Sequence, residues 1–397
     1  MATFSVRFLG CKVSYADGHA IRERLLADGH GERADRADVA VVNTCCVTHE
    51  ALRKSRHAVS RAARAHARVY VTGCGANLPA DAWAGMPANV VVVRRRSEET
   101  PEVVAGDVGA IGCVQADARL DRVRAFVKVQ DGCSFSCAFC VIPLVRGPSR
   151  SRRAEAVLAE VRRRVAQGHK EIVLTGINLG CYRDREAGYD LAGLVREAGE
   201  TPGLARIRLS SIEVNHVTQR LAAALRETPT VARHLHVPLQ SGDDGVLRAM
   251  RRRYDSATYL RRVSLVSEFN VTTDAIVGFP GEDERAFGNT LRVVREAGIT
   301  AVHVFPYSPR PGTATAERDT VPKAVKKERS ERLRALARDA RLRRWREKIG
   351  REDVVLVDRP GRGYGDDYAP WLGVAGPVGA LVRARGRAVG EEGILAA

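Results

Sequence analysis

Six short apolar runs in the middle of the chain, at 126–130, 171–175, 207–211, 234–239, 272–278 and 302–306, alternate with stretches of helical periodicity. One such stretch carries Val157, Leu158, Val161 and Val165 and stops at Gly168; another starts near Asp283 and ends at Gly298. Short apolar runs with a helix before the next run read as strands of a parallel sheet. Each strand–helix–strand unit crosses over with the right hand, so six of them make an open, partial version of the eight-fold barrel. Active sites in barrels sit at the carboxyl ends of the strands, so the residues that follow each run are where chemistry is expected.

The first run is followed by Cys133. With Cys137 and Cys140 it forms a C-x3-C-x2-C spacing inside one loop. Three thiolates so placed hold three corners of a [4Fe–4S] cluster and leave one iron without a protein ligand, open to a small molecule. A closed zinc site is the rival, but it wants four ligands, usually as two pairs. The nearest histidines, His66 and His169, are far off in sequence.

The same alternation recurs at the N-terminus, with strands expected at 4–10, 39–44 and 69–73 and helices near 20–27 and 51–65. Each strand is followed at once by a cysteine: Cys11, Cys45 and Cys74. Parallel strands bring their carboxyl ends to one edge, where open α/β sheets bind ligands. Three thiols 34 and 29 residues apart therefore converge, and a second three-cysteine cluster site is expected. The alternative is three small buried apolar residues, a common use of cysteine.

After Pro322 a basic helix is expected to about Ile349, with twelve basic and four acidic residues between Lys323 and Lys348. Short strands at 354–357, 371–374 and 379–385, with turns at 360–361 and 363–365, then suggest a small antiparallel barrel of a kind that often binds nucleic acid. The fold class is thus α/β in four parts. They are an open parallel α/β domain (1–117), a partial (β/α)6 barrel (118–322), a basic linker helix (323–349) and a β-barrel (350–397). The net charge of +17 suits a polyanionic partner. Its clustering is the stronger sign: Arg94 to Arg96, Arg150 to Arg153 and Arg251 to Arg253. No segment reaches eighteen uninterrupted apolar residues, and the first residues lack the apolar core of a signal peptide, so a cytoplasmic protein with no membrane partner is expected.

The central triplet, with Phe139 before its last cysteine, resembles the cluster motif of radical S-adenosylmethionine (SAM) enzymes. Cys11, Cys45 and Cys74, then that triplet, then a small barrel resemble the methylthiotransferases across essentially the whole chain. The resemblance implies two [4Fe–4S] clusters, two SAM molecules per product, and a terminal RNA-binding module like a TRAM domain. Several runs look most like the type acting on N6-threonylcarbamoyladenosine at position 37 of tRNA. They are Leu9-Gly-Cys-Lys-Val13, Asn43-Thr-Cys45, Arg53-Lys-Ser-Arg56, Leu174-Thr-Gly-Ile-Asn-Leu-Gly180, His234-Leu-His-Val-Pro-Leu-Gln-Ser-Gly242 and Val304-Phe-Pro-Tyr-Ser-Pro-Arg-Pro-Gly-Thr313. Ser14 and Cys46 depart from the pattern, where relatives more often carry Asn and Thr. Because strand neighbours point to opposite faces, only one of Cys45 and Cys46 is expected to face a cluster, and the motif selects Cys45. Cys113 and Cys181 match no ligand position.

The resemblance also implies SAM contacts. Phe139 is expected beside the adenine and Gly176 where backbone approaches the methionyl end. Ser211 and Glu213 are expected at the amino group or ribose, and Gln240, Asp274 and Tyr307 on the same rim. His216, His234 and His236 read as structural. The implied partners are tRNA, a reducing electron donor and a sulfur donor, and a monomer is expected. Other readings are methylthiolation of isopentenyladenosine in tRNA or of a ribosomal-protein aspartate, and a non-enzymatic Fe–S RNA-binding protein.

Overall fold

The computed structural model describes residues 2–34, 37–96, 99–108 and 123–397. The reading of Cys113 and the boundary at 117–118 lie outside them. The chain forms two compact units. One holds the residues up to Val108 together with Asp131–Ser149 and Ser308–Glu317; the other holds the strand from Arg124 to Gln130, Arg150–Tyr307 and Arg318–Ala397.

The first unit is built on a five-stranded, all-parallel sheet of β1 (Thr3–Phe8), β2 (Gly31–Glu32), β3 (Val39–Thr44), β4 (Arg68–Gly73) and β5 (Val90–Val92), in the order β2-β1-β3-β4-β5. All six residues of β3 are buried, as expected of a central strand covered on both faces. The helices are α1 (Lys12–Ala27), α2 (His49–Ala63) and α3 (Thr100–Val108). Helix α2 starts where Thr48 accepts the Ala51 N–H at 3.0 Å, an ordinary N-cap. Helix α1 begins eight residues before the expected 20–27, directly after Cys11. Its first turns contain Asp17 and Gly18, which weaken helical periodicity. A Cβ on Gly18 would lie 3.5 Å from the Phe8 side chain and 3.7 Å from those of Val6 and Asn43, so the glycine lets the helix lie close on the sheet.

The second unit contains the six expected parallel strands: β6 (Arg124–Asp131), β8 (Glu171–Gly176), β11 (Arg206–Leu209), β12 (His234–His236), β13 (Asn270–Val277) and β14 (Ala301–Pro306). They pair as β11-β8-β6 and β12-β13-β14, and the Ser211–His236 bridge joins the two sets into one open, partial barrel. The short β7 (Arg150–Ser151) extends the edge beside β6, and β9 (Arg183–Asp184) and β10 (Tyr189–Asp190) form a small hairpin. The helix expected from Asp283 runs Glu284–Glu296, with the Asp283 carboxylate accepting the Ala286 N–H at 2.7 Å.

The tail is a closed antiparallel-rich barrel of β15 (Glu352–Arg359), β16 (Gly361–Tyr364), β17 (Pro370–Val374), β18 (Leu381–Val389) and β19 (Ile394–Ala396). Three strands were expected and five are present. The glycine-rich stretches 360–361 and 363–365 read as turns, yet Gly361–Tyr364 forms a strand. A Cβ on Gly363 would sit 2.3 Å from the Leu356 carbonyl oxygen, so only glycine lets β16 close on β15.

This barrel is joined to the amino ends of the central strands by one buried charge cluster. Glu171, at the start of β8, accepts from Arg208 at 2.8 Å and Arg206 at 3.2 Å. The same guanidiniums donate to barrel carbonyls: Arg206 to Val354 at 2.6 Å, Arg208 to Gly365 at 2.7 Å and Asp366 at 2.9 Å. Arg124 lies over the stacked rings of Tyr364 and Tyr368, and Asn270 donates to the Asp367 carbonyl at 2.8 Å. The helix Lys323–Arg346 is tied to the same unit through Arg329–Glu282 at 2.8 Å and the buried Leu333.

Candidate functional site

In the first unit, Cys45 and Cys74 come directly after β3 and β4, and Cys11 follows the end of β1 at Phe8 after Leu9 and Gly10; the three strands are neighbours in the sheet. Cys11 is exposed and Cys45 and Cys74 are buried. A Cβ on Gly10 would lie 3.3 Å from the Cys45 sulfur, so the left-handed Gly10 (φ +123°) lets the β1 end turn against Cys45. Burial pushes the Cys45 and Cys74 thiols up, Cys74 to about 12; Cys11 adds to the rise in both, and Arg146 opposes it. The three thiols thus share one electrostatic neighbourhood.

That neighbourhood has a built cation. Arg146 closes the helix Ile142–Arg146 with only 5% of its side chain exposed. Its Nε–H donates to the Cys74 sulfur at 2.9 Å, and its other nitrogens reach Asp131 at 2.9 Å and Asp17 at 2.8 Å, both buried. A thiol buried in apolar surroundings is inert, whereas a thiolate beside a guanidinium is a ligand. Sequence reasoning missed Arg146, Asp17 and Asp131. The one signal was the place of Asp131 and Arg146 on either side of the central triplet.

Strand β3 ends at Thr44, so strand alternation does not reach Cys45 and Cys46. What distinguishes them is packing. Cys46 is 1% exposed in an apolar cluster with Cys74, Val141 and Val145, whereas Cys45 lies against Gly10 and its backbone N–H donates to Ser55 at 3.1 Å.

The central triplet lies on a loop of the same unit. Cys133, Cys137 and Cys140 are half-buried, and none of the eight described cysteines is in a disulfide. The loop is pinned at several points. The Cys133 N–H donates to Gly147, the Phe135 N–H points at the Cys133 sulfur at 3.4 Å, and Thr315 donates to the Ala138 carbonyl at 3.0 Å. Gly132 is left-handed (φ +67°), and a Cβ there would lie 2.1 Å from the Pro148 oxygen. Among the described residues no three His, Cys, Asp or Glu side chains converge as on a single ion. A cubane spreads its thiolates over separate irons, so both triplets fit one without such convergence. Amide N–H groups aimed at sulfur are also among the contacts that tune such clusters.

In the second unit the expected rim residues are placed as follows. Gly176 ends β8, but the space above it holds Gln130: an added Cβ would lie 2.9 Å from the Gln130 Oε1, which accepts the Asn178 N–H at 2.8 Å. Glu213 is buried and partnered, by Arg252 at 3.2 Å and the Asn215 N–H at 3.0 Å. Ser211 forms the bridge to His236. Gln240 is in the left-handed region (φ 66°), a strained state for a residue with a side chain. Tyr307 is buried, packs edge-on against Phe279, and its carbonyl accepts from Lys326 at 3.1 Å. His234 and His236 both share the Thr272 hydroxyl, and His236 also pairs with Asp274 at 3.1 Å. His216 lies 3.3 Å from the Cys181 sulfur. Phe139 belongs to the first unit and is half-buried.

Two rim atoms that the sequence did not single out are orphans. Thr175 Oγ1 and Asn178 Oδ1, at and just after the end of β8, are buried with no partner among the described residues. A buried polar atom left unpaired costs about 1–3 kcal/mol, so such atoms mark where a polar ligand belongs. SAM, with its amino, carboxylate and ribose groups, fits that need.

Residues 127–294 match the Radical SAM superfamily, and residues 3–93 match a family described as uncharacterized protein family UPF0004. The chain is 34% identical to the threonylcarbamoyladenosine tRNA methylthiotransferase MtaB of Thermotoga maritima, over 100% of this chain and 96% of that one. It is 38% identical to the protein of the same description from Bacillus subtilis, over 85% of this chain and 80% of that one. It is also 36% identical to the tRNA-2-methylthio-N(6)-dimethylallyladenosine synthase of Streptomyces coelicolor, over 91% of this chain and 77% of that one. Among solved structures it is similar to the radical S-adenosylmethionine methyltransferase TsrM of Kitasatospora setae with tryptophan and a SAM analogue bound. That match has a TM-score of 0.60 and 14% identity, over 80% of this chain and 75% of that one, and it is a likeness of fold.

Proposed function

The chain belongs to the radical SAM methylthiotransferase family, enzymes that use SAM and iron–sulfur clusters, and from that premise we propose its substrate and the work of its cysteines. The reaction is methylthiolation of C2 of N6-threonylcarbamoyladenosine at position 37 of tRNA. One SAM supplies the methyl group and a second is cleaved reductively. The observation that carries this reading is the second cysteine triplet, set on three adjacent strand ends beside a buried guanidinium. One cluster suffices to cleave SAM, so a second ligand set implies a second task, the handling of sulfur. The choice of base is supported by the share of the relative's own length that is covered. The chain spans 96% of the Thermotoga maritima relative but 77% of the Streptomyces coelicolor dimethylallyladenosine relative.

When bound, the cluster on Cys133, Cys137 and Cys140 supplies the electron that cleaves SAM, and the cluster on Cys11, Cys45 and Cys74 supplies the sulfur. The protein's own part is to fix these groups. Gly132, Gly147 and Thr315 hold the central loop open in one conformation. Arg146 favours the deprotonated form of Cys74, the form that binds metal. Thr175 and Asn178 offer SAM an unfilled hydroxyl and amide oxygen. An external reductant and a sulfur donor complete the cycle, and basic surface clusters hold the tRNA.

Two measurements test this. Anaerobically reconstituted protein is expected to bind about eight irons, four for each cubane. Replacing Cys133, Cys137 and Cys140 by Ala is expected to leave about half. A wild-type content near four irons refutes the second site. Mass spectrometry of tRNA nucleosides from cells with and without the protein is expected to show loss of the 2-methylthio derivative of threonylcarbamoyladenosine. Loss of the dimethylallyl derivative instead would reassign the base.

A further inference from the structure

Near the N-terminal triplet lies a second guanidinium, and it is in the opposite situation to Arg146. Arg310 is 4% exposed. Its Nη2 donates to the Ser308 hydroxyl at 2.8 Å, and its Nε–H is buried with no partner among the described residues. No carboxylate among those residues pairs with it, whereas Arg146 has two. The Ser308 hydroxyl also accepts the His49 N–H at 3.4 Å, four residues after Cys45, which ties Arg310 to the start of α2. Its backbone is fixed too, since the Arg310 carbonyl accepts from the Thr313 hydroxyl at 2.7 Å and the Thr313 N–H at 3.1 Å. The groups that feel its charge are the thiols Cys46 and Cys45 and the imidazole of His49.

A buried cation with no counter-ion is among the costliest features a fold carries, and it persists where an anion is meant to sit. Cys46 does not fill that place: it is 1% exposed and packs against Val141 and Val145. A sulfur cluster on Cys11, Cys45 and Cys74 brings its own negative charge and sulfur acceptors to this place. We propose that Arg310 is a positioning residue that supplies the counter-charge for the N-terminal cluster, with its unfilled Nε–H kept for that anionic group. The inference rests on the reading that this triplet holds a cluster. It adds a division of labour between two guanidiniums. Arg146 is already neutralised and orients Cys74; Arg310 is uncompensated until the cluster arrives.

The test uses the full-length chain with Cys133, Cys137 and Cys140 replaced by Ala, so that iron reports only on the N-terminal triplet. Arg310→Gln and Arg310→Lys are compared in that parent. In the metal-free state Arg310→Gln is expected to melt no lower than the parent, because it removes an uncompensated buried charge. In the loaded state the sign reverses. Arg310→Gln is expected to lose iron to a chelator about tenfold faster, the factor that corresponds to one charged hydrogen bond. Its midpoint potential is expected to shift downward, since the cation it removes favoured the more negative, reduced cluster. Arg310→Lys keeps the charge and stays near the parent in both. A metal-free Arg310→Gln that melts below the parent overturns the proposal, as do iron loss and potential equal to the parent's. A parent that binds no iron refutes the cluster reading itself and removes the inference with it, so the two failures are distinct.

Discussion

Glu171→Gln is the sharpest probe of how this fold is held together. The carboxylate is 1% exposed and sits between Arg208 at 2.8 Å and Arg206 at 3.2 Å, with Arg124 at 3.9 Å. Burial pushes its pKa up, but Arg208, Arg206 and Arg124 outweigh burial and hold it below the ordinary glutamate value. On the other side of the pair, burial and then the neighbouring Arg208 push Arg206 down, a repulsion that Glu171 offsets. The amide is isosteric and keeps one acceptor, so the change removes charge and little else. Breaking a buried ion pair by removing one partner costs about 3–5 kcal/mol, because the partner's charge is left uncompensated. Each kcal/mol moves the melting point of a domain of this size class by about 2–4 °C, so a drop of about 10 °C is expected by calorimetry of the metal-free protein. The pH dependence has a definite sign. A lowered folded pKa gives stability that is fully present above the ordinary glutamate value of about 4.3 and lost as the pH falls through the folded value. The gap between wild type and Glu171→Gln is therefore expected to be constant near neutrality and to close in acid. A drop under about 2 °C at neutral pH, or a gap that widens in acid, refutes the reasoning. It would mean that the barrel carbonyls of Val354, Gly365 and Asp366 satisfy the two guanidiniums unaided.

Two further outcomes follow from the geometry. Cys46→Thr is expected to leave iron content at about eight per chain, while Cys45→Ala is expected to lose about half; the reverse pattern would transfer the ligand role to Cys46. On β18, Arg383, Arg385 and Arg387 alternate outward while Ala384 and Gly386 face in, so replacing all three by Gln is expected to weaken tRNA binding without a change in melting point. Every phosphate that is no longer neutralised flattens the log–log salt slope by about 0.9, so a fall of up to about 3 is expected, and an unchanged slope places RNA recognition on other basic clusters.

The parts of this protein that were legible in the sequence are those written in periodicity and adjacency. Strands such as Glu171–Gly176 carry an unbroken apolar centre, Ile172 to Leu174, because both faces are buried, and cysteines set at strand ends declare which sheet edge they share. What was hidden falls into two kinds. Close backbone approaches hide behind glycine: the stretches 360–361 and 363–365 read as turns because the signal for β16 is a missing Cβ at Gly363, a tertiary requirement. Charge networks hide because their members are distant in sequence. Arg146 gathers Asp17, Cys74 and Asp131, and only Asp131 lies near it in the chain.

The C-terminal barrel shows how such a network changes an experiment. From sequence it reads as a detachable module after a linker helix, and truncation after Pro322 would be the natural way to separate RNA binding from SAM chemistry. In the fold, that cut removes Lys326 from the Tyr307 carbonyl and Arg329 from the buried Glu282. It also strips Val354, Gly365 and Asp366 from Arg206 and Arg208. Arg206 and Arg208 would then keep Glu171 but lose their barrel carbonyls to water. A truncated chain that lost SAM cleavage would report this exposed charge as readily as any role in catalysis. The β18 substitutions leave every one of these interactions in place, and so they are the ones that isolate recognition of the RNA.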